Sequence, residues 1–153
     1  MAPSTLSLVA TASDFFVDTP NRYLYEWIKP RINLIWSDDF RALARVKNGK
    51  IVGCVCYEGF TGTSCRIHMA GDGPGWMNRK FIRLAFRYPF EVLGLSMVFG
   101  VVPSGNTVAL SIDKRLGFKE LLYVEGAHPD GGLHFLQLKQ DDWARSIYGR
   151  QST

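Results

Sequence analysis

Apolar and polar positions along this chain alternate with strand periodicity more often than they recur with helical spacing, and short turn signals break them into units. Residues 5–10 form a short β-type run. The TASDFF segment after it offers Ser13 or Asp14 as the N-cap of a helix continuing to Trp27, and Pro30 is expected to end that helix. Residues 40–46 and 51–57 flank Asn48-Gly49, a dipeptide suited to the positive-φ positions of a tight hairpin. A second turn over 59–64 leads to a third antiparallel strand at 65–70. The character then changes. AGDGPGW at 70–76 is a glycine-rich loop, and 77–93 carries Phe81, Leu84, Ala85 and Tyr88 at helical spacing, with Pro89 expected to kink or shorten the helix.

The apolar run 97–102, bounded by Pro103-Ser104-Gly105, has the mark of a buried central strand. Residues 106–116 read as a short helix stopped by Gly117, and strands at 120–124 and 133–138 flank a turn at 128–132. The tail after Trp143 is polar enough to fray. This order predicts one α/β domain spanning 1–153, with a mixed, mostly antiparallel sheet and flanking helices.

Composition narrows the classes. With 46% apolar and 13% aromatic residues in 153, the chain can bury one sizeable core. It has no apolar run long enough to span a membrane and no signal-peptide pattern at its start, so a cytoplasmic protein is expected. The net charge of +4 suits an anionic ligand without choosing between a phosphorylated cofactor and a nucleic acid. Cys54, Cys56 and Cys65 are odd in number and clustered, which favours reduced thiols; with His68 they match no tetrahedral zinc spacing, and no metal is expected.

Two constellations carry chemistry. In the first, Gly71, Gly73 and Gly75 let backbone approach a ligand closely, and the helix that follows turns N–H groups toward an anion such as a pyrophosphate. In the second, Asn106-Thr-Val-Ala109 leads through Asp113 to Leu116-Gly-Phe118 directly after the 97–102 strand. This combination resembles the GNAT N-acetyltransferase superfamily, whose members carry an Asn-x-x-Ala helix ending in Leu-Gly-Phe after the fifth strand. The resemblance covers about residues 40–125. The FTGTSCRIHMAG wording is also similar to small acetyltransferase-like proteins encoded by tailed bacteriophages.

The resemblance implies the GNAT fold, with a V-shaped splay between strands 65–70 and 97–102 that takes acetyl-coenzyme A. Met69, Ala70, Gly71, Gly73, Gly75, Trp76, Met77 and Asn106 are then the cofactor-binding residues. It also implies acetyl transfer to a primary amine, on a small molecule or a protein, by direct attack through a tetrahedral intermediate. The thioester oxygen would be polarised by a backbone N–H near Met69 to Gly71. The family often places a thiolate-protonating Tyr four residues after the motif Ala; here that position is Asp113, a poor proton donor at neutral pH unless burial raises its pKa. The loop also departs from the family pattern, with Asp72 beside the expected phosphates.

For a general base the pool is His68, Glu58, Tyr57 and water, His68 first because histidine titrates nearest neutrality. A simple 59–64 hairpin puts Tyr57 and His68 on one sheet face and Glu58 with the cysteines on the other; a one-residue slip reverses this. Arg79, Arg83 and Arg87 form an i, i+4 basic stripe, read first as a solvated face. Two other readings stay open: a non-catalytic phage binding or virion protein that keeps the fold, and a nucleic-acid modifying enzyme on the same scaffold. A homodimer is compatible with all three.

Overall fold

The computed structural model describes residues 9–11, 14–19 and 22–150. They fall into two compact units, one comprising residues up to 60 together with 67–85, the other 61–66 and 86 onward. Eight strands are hydrogen-bonded in the order β1-β2-β3-β4-β5-β6-β8-β7.

In the first unit, β1 (Val9–Thr11) and β2 (Asp14–Thr19) form an antiparallel pair, and β2 continues onto β3 (Arg41–Lys47) through six residue pairs from Asp14↔Lys47 to Thr19↔Ala42. The helix expected from Asp14 onward is therefore corrected. The segment DFFVDT is aromatic and β-branched, and a neighbouring strand supplies a ladder that local capping preference cannot match. Ser13 and residues 5–8 lie outside the described residues.

Helix α1 spans Arg22–Ile32 and carries Pro30 inside it, so the proline does not end the helix. Proline in the last turn forfeits one hydrogen bond and continues for two residues. The stop is Asn33, which adopts φ 57° and donates its N–H to Lys29 O at 2.7 Å. Leu24, Tyr25 and Ile28 of α1 are buried against Ala42 and Ala44 of β3 and Cys54 and Cys56 of β4 (Lys50–Glu58). Those strand positions are small, which lets the helix sit close to the sheet.

The β3–β4 hairpin turns at Asn48 (φ 53°) and Gly49 (φ 79°), as the sequence requires. β4 and β5 (Ser64–Gly71) are neighbours and run antiparallel: His68 meets Glu58, while Asp72 N–H donates to Val52 O at 2.9 Å, so rising numbers on one strand match falling numbers on the other. Helix α2 begins at Arg79, where Asn78 caps it by accepting from Phe81 N–H at 2.7 Å. Its buried residues are Phe81, Ile82, Ala85 and Phe86 rather than the stripe containing Leu84 and Tyr88. α2 ends at Arg87 and passes into a single wide turn, Tyr88–Val92. Pro89 has no N–H for the carbonyl of Ala85, which instead accepts the buried Tyr57 hydroxyl at 2.5 Å.

In the second unit, β6 (Met97–Pro103) lies between β5 and β8 (Gly131–Lys139). Its parallel ladder with β5 has three pairs, Ser64↔Met97 to Arg66↔Phe99, and its antiparallel ladder with β8 has seven. β7 (Lys119–His128) pairs antiparallel with β8 and forms the far edge. Helix α4 (Gln140–Arg145) buries Trp143 against Phe86 at 4.9 Å and Phe90 at 6.4 Å between ring centroids.

Candidate active site

The glycine loop joins β5 to α2 on the face of the first unit opposite α1. Gly71 and Gly53 do not face an open space: a Cβ on Gly71 would stand 1.9 Å from Trp76 Cδ2, and one on Gly53 would stand 2.6 Å from Trp76 Cε3. The two glycines form a bed for the Trp76 indole, which also meets Phe81 edge-on at 6.3 Å. Gly73 and Gly75 are different. Both have left-handed backbone, φ 71° and 80°, and a Cβ on either would meet nothing within 4 Å, so their backbone is bare on its outer side. Met69, Ala70 and Met77 are half-buried at the two ends of this loop.

Two arginines that sequence reasoning passed over organise the loop. Arg45 is 4% exposed and donates through Nη1 to the carbonyls of Gly75 at 2.5 Å and Trp76 at 2.8 Å. It thereby places a buried cation behind the loop while holding its carbonyls inward. Its only sequence signal is a charge between Ala44 and Val46 in an otherwise apolar strand. Arg31 makes a two-pronged pair with Asp72, at 2.9 and 2.8 Å, and stacks over Trp27 at 3.6 Å from the ring centroid. The hydrogen bond to Arg31 holds the Asp72 carboxyl below its ordinary range. Asp72 therefore does not cap α2, and its charge is answered by Arg31.

His68 Nε2 lies 2.9 Å from Glu58 Oε2, with Glu58 5% exposed. The simple hairpin register is thereby corrected: the strands have slipped by one residue, His68 shares the face of Glu58, Cys54 and Cys56, and Tyr57 points to the α2 side. The chemistry gains from the slip, because a buried carboxylate now fixes the ring of the candidate base. All three cysteines are buried; burial pushes the Cys54 thiol up to about 12 and Cys56 well above its ordinary value. Among the described residues no cluster of three or more metal-ligating side chains occurs. On α2, Arg79 and Arg87 are exposed, and Arg87 pairs with Glu91 at 3.2 Å.

In the second unit, helix α3 runs Thr107–Leu116 with Asn106 as its N-cap, the Asn106 Oδ1 accepting from Ala109 N–H at 3.1 Å. Gly117 closes it at φ 108°, donating to Asp113 O and Lys114 O, and Phe118 N–H also reaches Asp113 O at 3.0 Å. The Asn-x-x-Ala and Leu-Gly-Phe spacings are thus the two caps of one helix. Between them, Asp113 turns its carboxyl toward the bare backbone of Gly100 on β6, with Oδ2 3.7 Å from where a Gly100 Cβ would stand. Burial pushes the Asp113 carboxyl up to about 7, so at neutral pH a large fraction is protonated. That meets the condition under which this position can donate a proton.

No family model matches the sequence, and no curated protein matches it significantly. Solved structures do. The spermidine/spermine N-acetyltransferase SpeG from Vibrio cholerae, in complex with manganese ions, is similar with a TM-score of 0.62 at 18% identity, over 78% of this chain and 75% of that one. The N-acetyltransferase PseH from Campylobacter jejuni, in complex with acetyl coenzyme A, gives 0.54 at 17% identity, over 76% and 77%. A third structure, whose acetyltransferase assignment is itself provisional, gives 0.69 at 13% identity over 98% of this chain and all of that one. From an independent direction these likenesses reach the architecture built above from hairpins and caps, a mixed sheet with flanking helices, and the fold of this chain is that of the GNAT N-acetyltransferases.

Proposed function

We propose that the chain is an N-acetyltransferase that takes acetyl-coenzyme A and passes its acetyl group to a primary amine of a small molecule. The observation that carries this reading is the glycine loop. Gly73 and Gly75 offer bare backbone on their outer side, Arg45 sets a buried cation behind them, and Arg31 answers the Asp72 carboxylate. A pyrophosphate suits this donor set, because backbone N–H groups at a helix start and a fixed positive charge both favour an anion. When bound, the coenzyme supplies the activated acetyl thioester.

Within the first unit, the stretch Met69–Gly71 lies past the end of the β5 ladder with β6, which frees backbone N–H groups there to polarise a carbonyl oxygen. His68, held by Glu58, accepts the proton of the attacking amine, directly or through water. In the second unit, Asp113 carries the proton that a departing thiolate requires. The spermidine acetyltransferase among the similar structures supports a compact amine acceptor over a protein.

The test is release of free thiol from acetyl-coenzyme A across a panel of polyamines, amino sugars and peptides. Mass spectrometry of the protein as purified would look for coenzyme carried along. Turnover with an amine supports the reading. Coenzyme binding without turnover on any amine points to a non-catalytic binding protein, and no binding at millimolar coenzyme overturns the assignment.

A further inference from the structure

We propose that β7 is a homotypic interface, at which two copies of this chain join their β7 strands antiparallel about a two-fold axis at Tyr123 and extend the sheet across both. Among the described residues β7 is the terminal strand of the sheet order, and no described strand lies along its outer edge. It is ten residues long, contains no proline, and carries four consecutive large apolar side chains: Leu121 is 56% exposed, Leu122 54%, Tyr123 39% and Val124 37%. Long apolar edges of this kind are templates for pairing, and single-chain proteins ordinarily block them with charge, proline or shortness. Here Lys119 and Glu120 sit at one end and two irregularities, at Leu121 and between Glu125 and His128, interrupt the strand, so the open stretch is Leu122–Glu125, in unbroken register with Phe135–Gly132 of β8.

The sequence of that stretch chooses the occupant and the register. A two-fold axis perpendicular to a sheet keeps each residue on its own face, so residue numbers facing each other across the seam must sum to an even value. Centring on Tyr123 sets Leu122 against Val124 of the second copy, twice, on the face that also holds Phe135 and Leu133. Centring on Leu122 would carry Val124 into the bulge beyond Leu121, and centring on Val124 would lose both Leu–Val pairs. The Tyr123 side chain lies back over its own β8, its ring 4.6 Å from that of His134, and leaves the strand edge clear. A seam this short buries less than the roughly 1,600 Å² of a standard interface, so the dimer is expected to appear with concentration, over about 1–100 µM.

Sedimentation of the full chain over that range should show a species of twice the 17.2 kDa chain mass. Val124→Lys and, independently, Leu122→Lys should hold the protein monomeric with unchanged far-ultraviolet circular dichroism, since both side chains are exposed. Register is read by oxidation. Tyr123→Cys brings two thiols together at the axis within disulfide reach, at a Cα separation of about 5 Å. Glu125→Cys leaves them about 14 Å apart, four residues along the strand. The three native cysteines are buried and do not compete. Cross-linked dimer from Tyr123→Cys but not from Glu125→Cys supports the proposal. A monomer at every concentration, a dimer that survives both lysine variants, or cross-linking only through position 125 would overturn it. None of these outcomes depends on coenzyme binding or turnover.

Discussion

Replacing Asp113 with Asn isolates the effect of burying a carboxyl group on helix α3. In the folded chain this group titrates at about 7, and its ordinary value is 3.8. The folded state thus holds a proton that the unfolded chain releases. Stability is fully present below the unfolded value, falls as pH rises from about 4 to about 7, and stays lower above that. Three pH units at about 1.4 kcal/mol each set a ceiling of about 4 kcal/mol. The side chain keeps some solvent contact, so about 2 kcal/mol is expected. Asn carries no charge at any pH and escapes the penalty. Asp113→Asn should therefore match the parent at pH 4 and exceed it by about 2 kcal/mol at pH 8, roughly 4–8 °C in melting temperature for a chain of this length. Urea titrations of both proteins at half-unit pH steps measure the gap directly. A gap that does not change with pH, or a variant less stable than its parent at pH 8, would refute the burial argument. Turnover should move the other way, falling by about 10²-fold or more in Asp113→Asn with coenzyme affinity kept, and surviving in Asp113→Tyr, because a phenol holds its proton at neutral pH.

Gly71→Ala forces the Trp76 indole off its bed and should cost about 1–3 kcal/mol, with a red shift in tryptophan emission. Gly73→Ala meets no neighbour and should cost only about 1 kcal/mol of backbone strain, yet weaken coenzyme binding measured by calorimetry. Acetyl-coenzyme A at a hundredfold excess over its dissociation constant should add about 2.7 kcal/mol in a thermal shift assay. His68→Asn should lower turnover by about 10²-fold or more, and Glu58→Gln by less, in steady-state assays that leave coenzyme affinity unchanged.

What the sequence determined by itself was local. Asn48-Gly49 forms its turn because few other pairs tolerate two positive φ values in succession, and Asn106 and Gly117 cap α3 because each satisfies backbone groups within four residues of itself. The glycine loop, its helix and the position of Asp113 were legible for the same reason. Everything requiring two distant segments was decided by the tertiary structure. Asp14–Thr19 becomes a strand because β3 stands beside it, and Trp143 anchors α4 because Phe86 and Phe90 receive its ring. The slip that joins His68 to Glu58 was open in the sequence, since period-two patterning fits either register when both faces are covered. Arg31 finds Asp72 across 41 positions, Arg45 reaches carbonyls 30 and 31 residues on, and the pKa of Asp113 follows from what surrounds it rather than from its neighbours in the chain. Turns and caps are settled by the conformational preferences of a few adjacent residues, whereas ion pairs and desolvation depend on which surfaces the packed chain brings together.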